Sequence, residues 1–422
     1  MKEKLYIKNF AGIKEAEIEL NKINILIGPQ ATGKSVIAKL LYFFNDLVAV
    51  LPFVFQEGGK ETEFANFISF KFDGIFPKRS LGNSDFIIKY ILGNEYFQIS
   101  KSDLSIYGVN LTWSEYFKNK MSEYAIFFQK DQEFVIASQK KYRNTIFRSD
   151  YINSIYSDLE KSISTDRIFI PAGRSYFASM QKNIFTVLEN IKNYDVDVFI
   201  TEFGSFYDNA KSNIQEKLHQ NTDNINHKFG LRWIDNLLNR LLGGVYERRF
   251  NLDYVIHNDG RETLISSSSS GQQEVLPLLI TLKYLLLMDY WKDGVDVFIE
   301  EPEAHLFPSS QRDIVEAFSV VYNSVRIPMN LFITTHSPYI LTSFNNLMEA
   351  GLIKRKNRKL KELYKIVPKE QILDPKDVSA YSVTHDGVKS IIDPETELIL
   401  ADEIDDVSDQ LMVQFDDLMD LR

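Results

Sequence analysis

The chain has no cysteine among its 422 residues, which excludes disulfides, thiolate metal sites and cysteine nucleophiles. It also lacks long hydrophobic runs. Stretches such as Tyr284–Met288 are far too short to span a bilayer. The opening residues, Met1-Lys-Glu-Lys-Leu-Tyr-Ile-Lys8, carry no apolar core of the kind that directs secretion. Positive charge is in deficit: 48 Lys and Arg stand against 58 Asp and Glu, a formal net charge of −10. Such a chain is a poor general binder of nucleic acid, although a local basic patch can still serve. Between residues 175 and 245 no heptad repeat is sustained, which excludes a long coiled-coil arm. These absences point to a cytoplasmic protein with no membrane partner. The composition, 44% hydrophobic and 25% charged, is that of a globular chain long enough for two or three subdomains.

What is present starts with Gly28-Pro29-Gln30-Ala31-Thr32-Gly33-Lys34-Ser35, which fits G-x-x-x-x-G-K-[ST], the phosphate-binding P-loop. Ile23–Ile27 before it reads as a short strand, and Val36–Phe44 after it as a buried helix. The glycines let the backbone curl so that its N–H groups point at phosphate oxygens, helped by the helix N-terminus. Lys34 is expected on the β- and γ-phosphates of ATP and Ser35 on Mg²⁺. An ordinary glycine turn is the bland alternative, and the flanking strand and helix weaken it.

Two further strand ends carry chemistry. Val295–Ile299 is an apolar strand that delivers Glu300 and Glu301 at its C-terminal end, where ligands bind in open α/β sheets. Adjacent carboxylates can divide the labour, Glu300 on the metal and Glu301 as general base toward water. Glu303 is the next candidate base, and His305 reads as structural. Leu331–Thr335 is a second apolar strand, tipped by His336, a γ-phosphate contact in this company. Between them, Ser266–Ser270 with Gly271, Gln272 and Gln273 is either a flexible linker or an anion site opening a long apolar helix, about 272–291. Pro277 should kink that helix or delay its start.

The remaining chain divides by pattern. Leu5–Phe10 and Glu15–Leu20 read as a strand pair around Ala11-Gly12. Residues 49–165 read as an antiparallel β-rich subdomain with a hairpin turning at Gly93-Asn94, and 166–249 as a helical subdomain opened by the strand Arg167–Ile170. Residues 1–48 and 250–345 are the two halves of a nucleotide-binding core, with Phe250–His257 as a strand. The segment 346–422 ends in an acidic tail with apolar Ile404, Val407, Leu411, Phe415 and Leu418 on one helical stripe. That stripe fits either a protein partner or packing on the core.

With these stretches in order, the chain resembles ABC-type ATPases of the SMC/Rad50/RecF group, most of all prokaryotic AAA15 or OLD-like ATPases. The matching stretches are 5–45 and 262–342. Leu5–Ile13 resembles the opening strand and turn of that group, which implies that Asn9 and Phe10 lie near the adenine. Ser269-Ser270-Gly271-Gln272 resembles the ABC signature, with Ser270 where the first glycine usually sits. Glu300-Glu-Pro-Glu-Ala-His-Leu306 has the OLD-like form of Walker B, and Thr335-His336-Ser337-Pro338 resembles the H-loop. Ile170-Pro-Ala-Gly-Arg174 is similar to a segment of this branch, which makes Arg174 a candidate phosphate ligand. No Q-loop glutamine is placed. The resemblance implies an α/β ABC-ATPase head with a mixed, mainly parallel sheet, an antiparallel β-subdomain and a helical insertion. It implies Mg²⁺-dependent ATP hydrolysis in a homodimer or higher even oligomer, one subunit's signature closing on the other's P-loop. About 86 residues follow His336, too few and too poor in Asp-x-Asp for the C-terminal nuclease domain of OLD proteins. The expectation is therefore a switch acting on a separate effector, a nuclease or toxin, as in anti-phage systems. A RecF-like ATPase acting directly on DNA is the alternative, favoured by Lys354–Lys359.

Overall fold

The computed structural model describes the chain except for residues 1–2, 49, 52–59, 133–150, 152–153, 156, 160–165, 180–196, 221–224, 289–293, 326, 358, 401–405 and 421–422. Its centre is a six-stranded sheet. Strands β3 (Ile23–Ile27), β7 (Asp166–Ile170), β11 (Val295–Glu300), β12 (Met329–Thr335) and β13 (Val378–Thr384) are parallel, and β14 (Gly387–Ser390) is antiparallel at one edge. The order is β14-β13-β3-β12-β11-β7. Buried on both faces, β3, β11 and β12 read as nearly continuous apolar runs. Ile23, Ile25, Ile27, Val297, Ile299, Leu331 and Ile333 enter one core, and Leu26, Phe169, Phe298, Phe332 and Val383 the other. This is the α/β fold, mainly parallel at its centre, that the sequence implies.

The second core is built on a row of rings. Phe169, Phe298 and Phe332 hold matching positions on three neighbouring strands. Phe298 stacks on Phe332 at 4.4 Å and on Phe169 at 6.0 Å. Helix α1 (Lys34–Asn45) lies across this row, with Tyr42 edge-on to Phe169 at 5.7 Å and to Phe298 at 5.5 Å. At its end Asn45 donates to the buried carboxylate of Asp296 at 2.6 Å and accepts from the Tyr90 hydroxyl at 2.7 Å. Tyr90 belongs to a second, five-stranded antiparallel sheet of β1 (Glu3–Phe10), β2 (Ile13–Leu20), β4 (Ile87–Leu92), β5 (Glu95–Lys101) and β6 (Val109–Trp113), ordered β2-β1-β4-β5-β6. Strands from both sides of the P-loop thus share one sheet, with α2 (Glu61–Ile75) and α3 (Glu115–Gln132) beside it in sequence.

The other face of the central sheet is covered mainly by helices: α4 (Ser175–Ser179), α5 (Val198–Gln220), α6 (Ile225–Leu242), α7 (Ser270–Leu287), α8 (Pro308–Ser324) and α9 (Pro338–Arg355). Helix α7 runs from Ser270 straight through Pro277, so the proline marks no late start. Nearly every residue from Glu274 onward is buried, and that packing holds the helix despite the hydrogen bond Pro277 cannot make. Ahead of α7 sits a small sheet of β8 (Val245–Arg249), β9 (Leu252–Ile256) and β10 (Glu262–Leu264). Phe250 does not open a strand, as the pattern suggested. With Asn251 it forms a two-residue turn at positive φ, paired across Arg249 and Leu252. Helix α10 (Leu360–Ile366) follows α9, and α11 (Asp406–Asp420) is the acidic tail helix. Ile404 lies outside the described residues. Among the described residues no helix is long and apolar enough to cross a membrane.

Gly351 of α9 lies flush against the main chain of the following segment, and a Cβ there would stand 1.9 Å from the Leu373 carbonyl oxygen. Gly351→Ala should cost about 1–3 kcal/mol, the range for forcing extra volume into a packed site. Urea denaturation should show a lower midpoint at unchanged slope. An unchanged midpoint would show that the contact does not constrain the fold.

Candidate functional site

Three strand ends converge at one edge of the central sheet. The register pairs Ile27 with Thr335 and Glu300 with Thr334, so β3, β12 and β11 finish level. Their loops line a cavity of about 300 Å³ bounded by Ala11, Gln30 to Val36, Glu301 and His336. The P-loop is held by close approaches at its two glycines. A Cβ on Gly28 would stand 2.0 Å from the Val383 carbonyl oxygen, and one on Gly33 at 2.7 Å from the Ile13 side chain. Gly33 is the N-cap of α1 at φ 101°, and no side chain caps that helix. Its first-turn N–H groups are left for an anion. Thr32 closes the loop with a hydrogen bond from its hydroxyl to the Pro29 carbonyl.

Lys34 is buried at the cavity wall, where its ammonium donates to the carbonyls of Gly28 and Pro29 at 2.8 and 2.7 Å. Burial lowers its pKa, and the nearby Glu301 and Glu303 carboxylates act in the opposite direction. His336 Nδ1 lies 3.4 Å from the ammonium, and His336 Nε2 lies 3.0 Å from Glu301 Oε1. With Nδ1 accepting, the ring proton sits on Nε2 and is donated to Glu301. Lys34, His336 and Glu301 therefore form a continuous relay. Glu301 is held at φ 42°, a strained conformation for this residue type, and its N–H donates to Thr334. Glu303 engages main chain instead of the ring. Its Oε1 accepts from the His336 N–H at 2.6 Å and the Thr335 hydroxyl at 2.7 Å, so it clamps the histidine's backbone.

Glu300 is nearly buried. Its Oε2 accepts from the Ala172 N–H at 3.3 Å, and its Oε1 has no hydrogen-bond partner although it is shielded from solvent. An orphaned carboxylate oxygen and the exposed Ser35 hydroxyl are hard oxygen donors that suit Mg²⁺ retaining most of its waters. Among the described residues no cluster of three or more acidic or histidine ligands offers a cage.

Two expectations need correction. Phe10 is no nucleotide contact: its ring is 2% exposed and packs on Phe72, Phe76 and Phe86. Asn9 is exposed but absent from the cavity wall, and Ala11, two residues on at φ 50°, takes the place in its stead. Arg174 is no phosphate ligand either. It is 1% exposed, and its guanidinium donates to the main-chain oxygens of Pro171, Glu300, Glu301 and Glu274. Burial pulls its pKa down, and Glu274 leads the carboxylates that oppose this. Glu274 was overlooked in the sequence; its signal was a lone acid entering an otherwise apolar helix. The stretch Ser269 to Gln272 is placed elsewhere, outside the cavity wall. Ser269 caps α7 in a reciprocal capping box with Gln272, whose amide also reaches the Leu242 carbonyl.

A family model described as the AAA ATPase domain matches residues 1–341. No curated protein matches the chain. Among solved structures, the chain is similar to the SMC head domain from Thermotoga maritima, at 9% identity and a TM-score of 0.34, covering 92% of this chain and 98% of that one. An Smc head domain with an extended coiled coil, bound to the C-terminal domain of ScpA from Pyrococcus furiosus, is 11% identical, with 92% and 95% covered and a TM-score of 0.37. The recombination mediator protein RecF is 10% identical, with 93% and 98% covered and a TM-score of 0.34.

Lys34→Ala should weaken binding of a fluorescent ATP analogue by roughly 10- to 100-fold, the worth of a hydrogen bond to a charged group. Titration of the purified variant checks this, and unchanged affinity would remove Lys34 from the site.

Proposed function

This chain belongs to the AAA ATPase domain family and is thereby an ATPase; we propose that it works as a dimeric, ATP-driven switch that controls a partner protein. The relay from Lys34 through His336 to Glu301 carries the reading, because it sets a carboxylate across the cavity from the P-loop. Glu301 is the general base that takes a proton from the attacking water, and His336 holds it in place. Lys34 and the first-turn amides of α1 bind the phosphates. Ser35 and Glu300 are the ligands for Mg²⁺, which when bound neutralises phosphate charge. The stretch around Gly271, lying outside its own chain's cavity, would be supplied to ATP by a second copy.

The effector is the further part of the proposal. Helix α11 supports it: Met412, Phe415, Leu418 and Met419 share one side and are about half or more exposed on a helix rich in Asp. Such a face suits a protein partner, proposed to be a nuclease or toxin encoded nearby in an anti-phage system. Direct action on DNA is the second reading, supported by the exposed Lys354 in the last turn of α9 and the exposed Lys356 and Lys359 that follow it. Binding to duplex DNA that weakens steeply with salt would favour it.

Glu301→Gln should bind ATP and lose turnover by roughly 10²–10⁴-fold, the contribution typical of a general base. With ATP and Mg²⁺ the variant should run in light scattering as a stable dimer or higher even oligomer. Wild-type turnover would eliminate Glu301 as base, and an inactive variant whose mass ignores ATP would eliminate the sandwich. Removing residues 402–422 should leave ATP binding intact and abolish co-purification with the product of the adjacent gene. Retained co-purification would place the partner surface elsewhere.

A further inference from the structure

A fully buried arginine is costly to hold, so what Arg174 joins is informative. One side of its guanidinium grips the strand end that carries the two glutamates, donating to Glu300 O at 2.7 Å and Glu301 O at 2.9 Å. The other side meets Glu274 of α7, with Nε 3.2 Å from its carbonyl oxygen and 3.4 Å from Oε2. The Glu274 carboxylate also accepts the main-chain N–H groups of Arg174 and Ser175, at 2.9 and 3.0 Å. Glu274 lies three residues after Gly271, in the opening turns of the same helix. Gly271 abuts the turn beyond Glu301 directly, since a Cβ there would stand 2.9 Å from the His305 carbonyl oxygen.

We propose that Arg174 and Glu274 form a strut that ties the Ser269–Gln272 surface of each chain to that chain's own Glu301, so that the two ATP sites of a dimer are coupled. The inference rests on the dimeric reading above. In that arrangement the Gly271 surface of one chain meets the nucleotide held by the other chain's P-loop. Movement of α7 on engaging that nucleotide is passed through Glu274 and the planar Arg174 fork to the main chain of Glu300 and Glu301. Arg174 is therefore a positioning residue that never touches nucleotide. Each chain fires its own base only when its α7 is seated on the partner's ATP.

The test is the ATP dependence of hydrolysis by the full-length protein. Wild type should respond cooperatively, with a Hill coefficient approaching two. Arg174→Lys retains charge but loses the fork, and Glu274→Gln retains shape but offers one acceptor oxygen fewer to the two N–H groups it now satisfies. Both should bring the coefficient toward one while affinity for a fluorescent ATP analogue stays within about twofold of wild type. A purely structural role would lower melting temperature and active fraction and leave the coefficient unchanged. That result in either folded variant overturns the strut alone. A wild-type coefficient of one overturns both the strut and the coupled dimer. Should both variants fail to fold, hydrogen exchange on wild type decides. Added ATP with Mg²⁺ should slow exchange at the Arg174 and Ser175 amides in the assembled protein and leave it unchanged in a dilute monomer; equal exchange in both overturns the strut.

Discussion

The parallel register of β3, β12 and β11 is the constraint on which the site depends. Lys34 and His336 are 302 positions apart in the chain, yet Ile27 and Thr335 end side by side and bring them within 3.4 Å. One further strand over, Glu300 pairs with Thr334, and Glu301 follows onto the histidine ring. A slip of one residue would turn Phe298 or Phe332 out of the ring row and reverse the faces of both cores. The aromatic row and the aliphatic row thus enforce the alignment of the loops. Hydrophobic packing holds the strands in register, and the register places the chemistry.

Around that edge, polar side chains are spent largely on backbone. Glu303 holds the N–H of His336, the Glu300 carboxylate holds the N–H of Ala172, and Arg174 holds the carbonyls of both glutamates. Each fixes main chain that would otherwise carry unsatisfied groups in a buried place. Ala31, Glu301 and His305 sit at φ values of 61°, 42° and 58°. Conformations of this kind cost of order 1–3 kcal/mol each and persist only where surroundings over-determine them. For Glu301 the Arg174 clamp contributes to that over-determination, and Ala31 and Glu301 both line the cavity.

This division explains what could be read in advance. Short-range features were legible: the P-loop between strand and helix, the apolar strands ending in Glu300-Glu301 and in His336, the capped start of α7. Each is local, and its pattern records its own structure. Phe10 and Arg174 misled because their fate is tertiary. The resemblance of Leu5–Ile13 to a family's opening strand and turn placed Phe10 near the adenine, but Phe72, Phe76 and Phe86 close over it. The resemblance of Ile170–Arg174 to a family segment made Arg174 a candidate phosphate ligand, but Glu274, a hundred residues on, claims its guanidinium. The β8–β9 turn stayed hidden because Phe250-Asn251 replaces the Asn-Gly that normally announces such a hairpin.

Charge balance bears on how the site must work. Among the described residues at or just behind the cavity stand two cations, Lys34 and the buried Arg174, and four carboxylates, Glu274, Glu300, Glu301 and Glu303. Bringing a triphosphate beside three carboxylates is unfavourable by Coulomb's law, and more so where water is excluded. Lys34 cannot offset it, because the charge of Arg174 is already matched by Glu274. The amides at the start of α1 contribute a partial charge of about half a unit. The remaining deficit argues for a divalent cation arriving with the nucleotide, at the buried Glu300 oxygen that has no partner of its own. A site with this excess of carboxylates favours a polyanion only when a cation accompanies it.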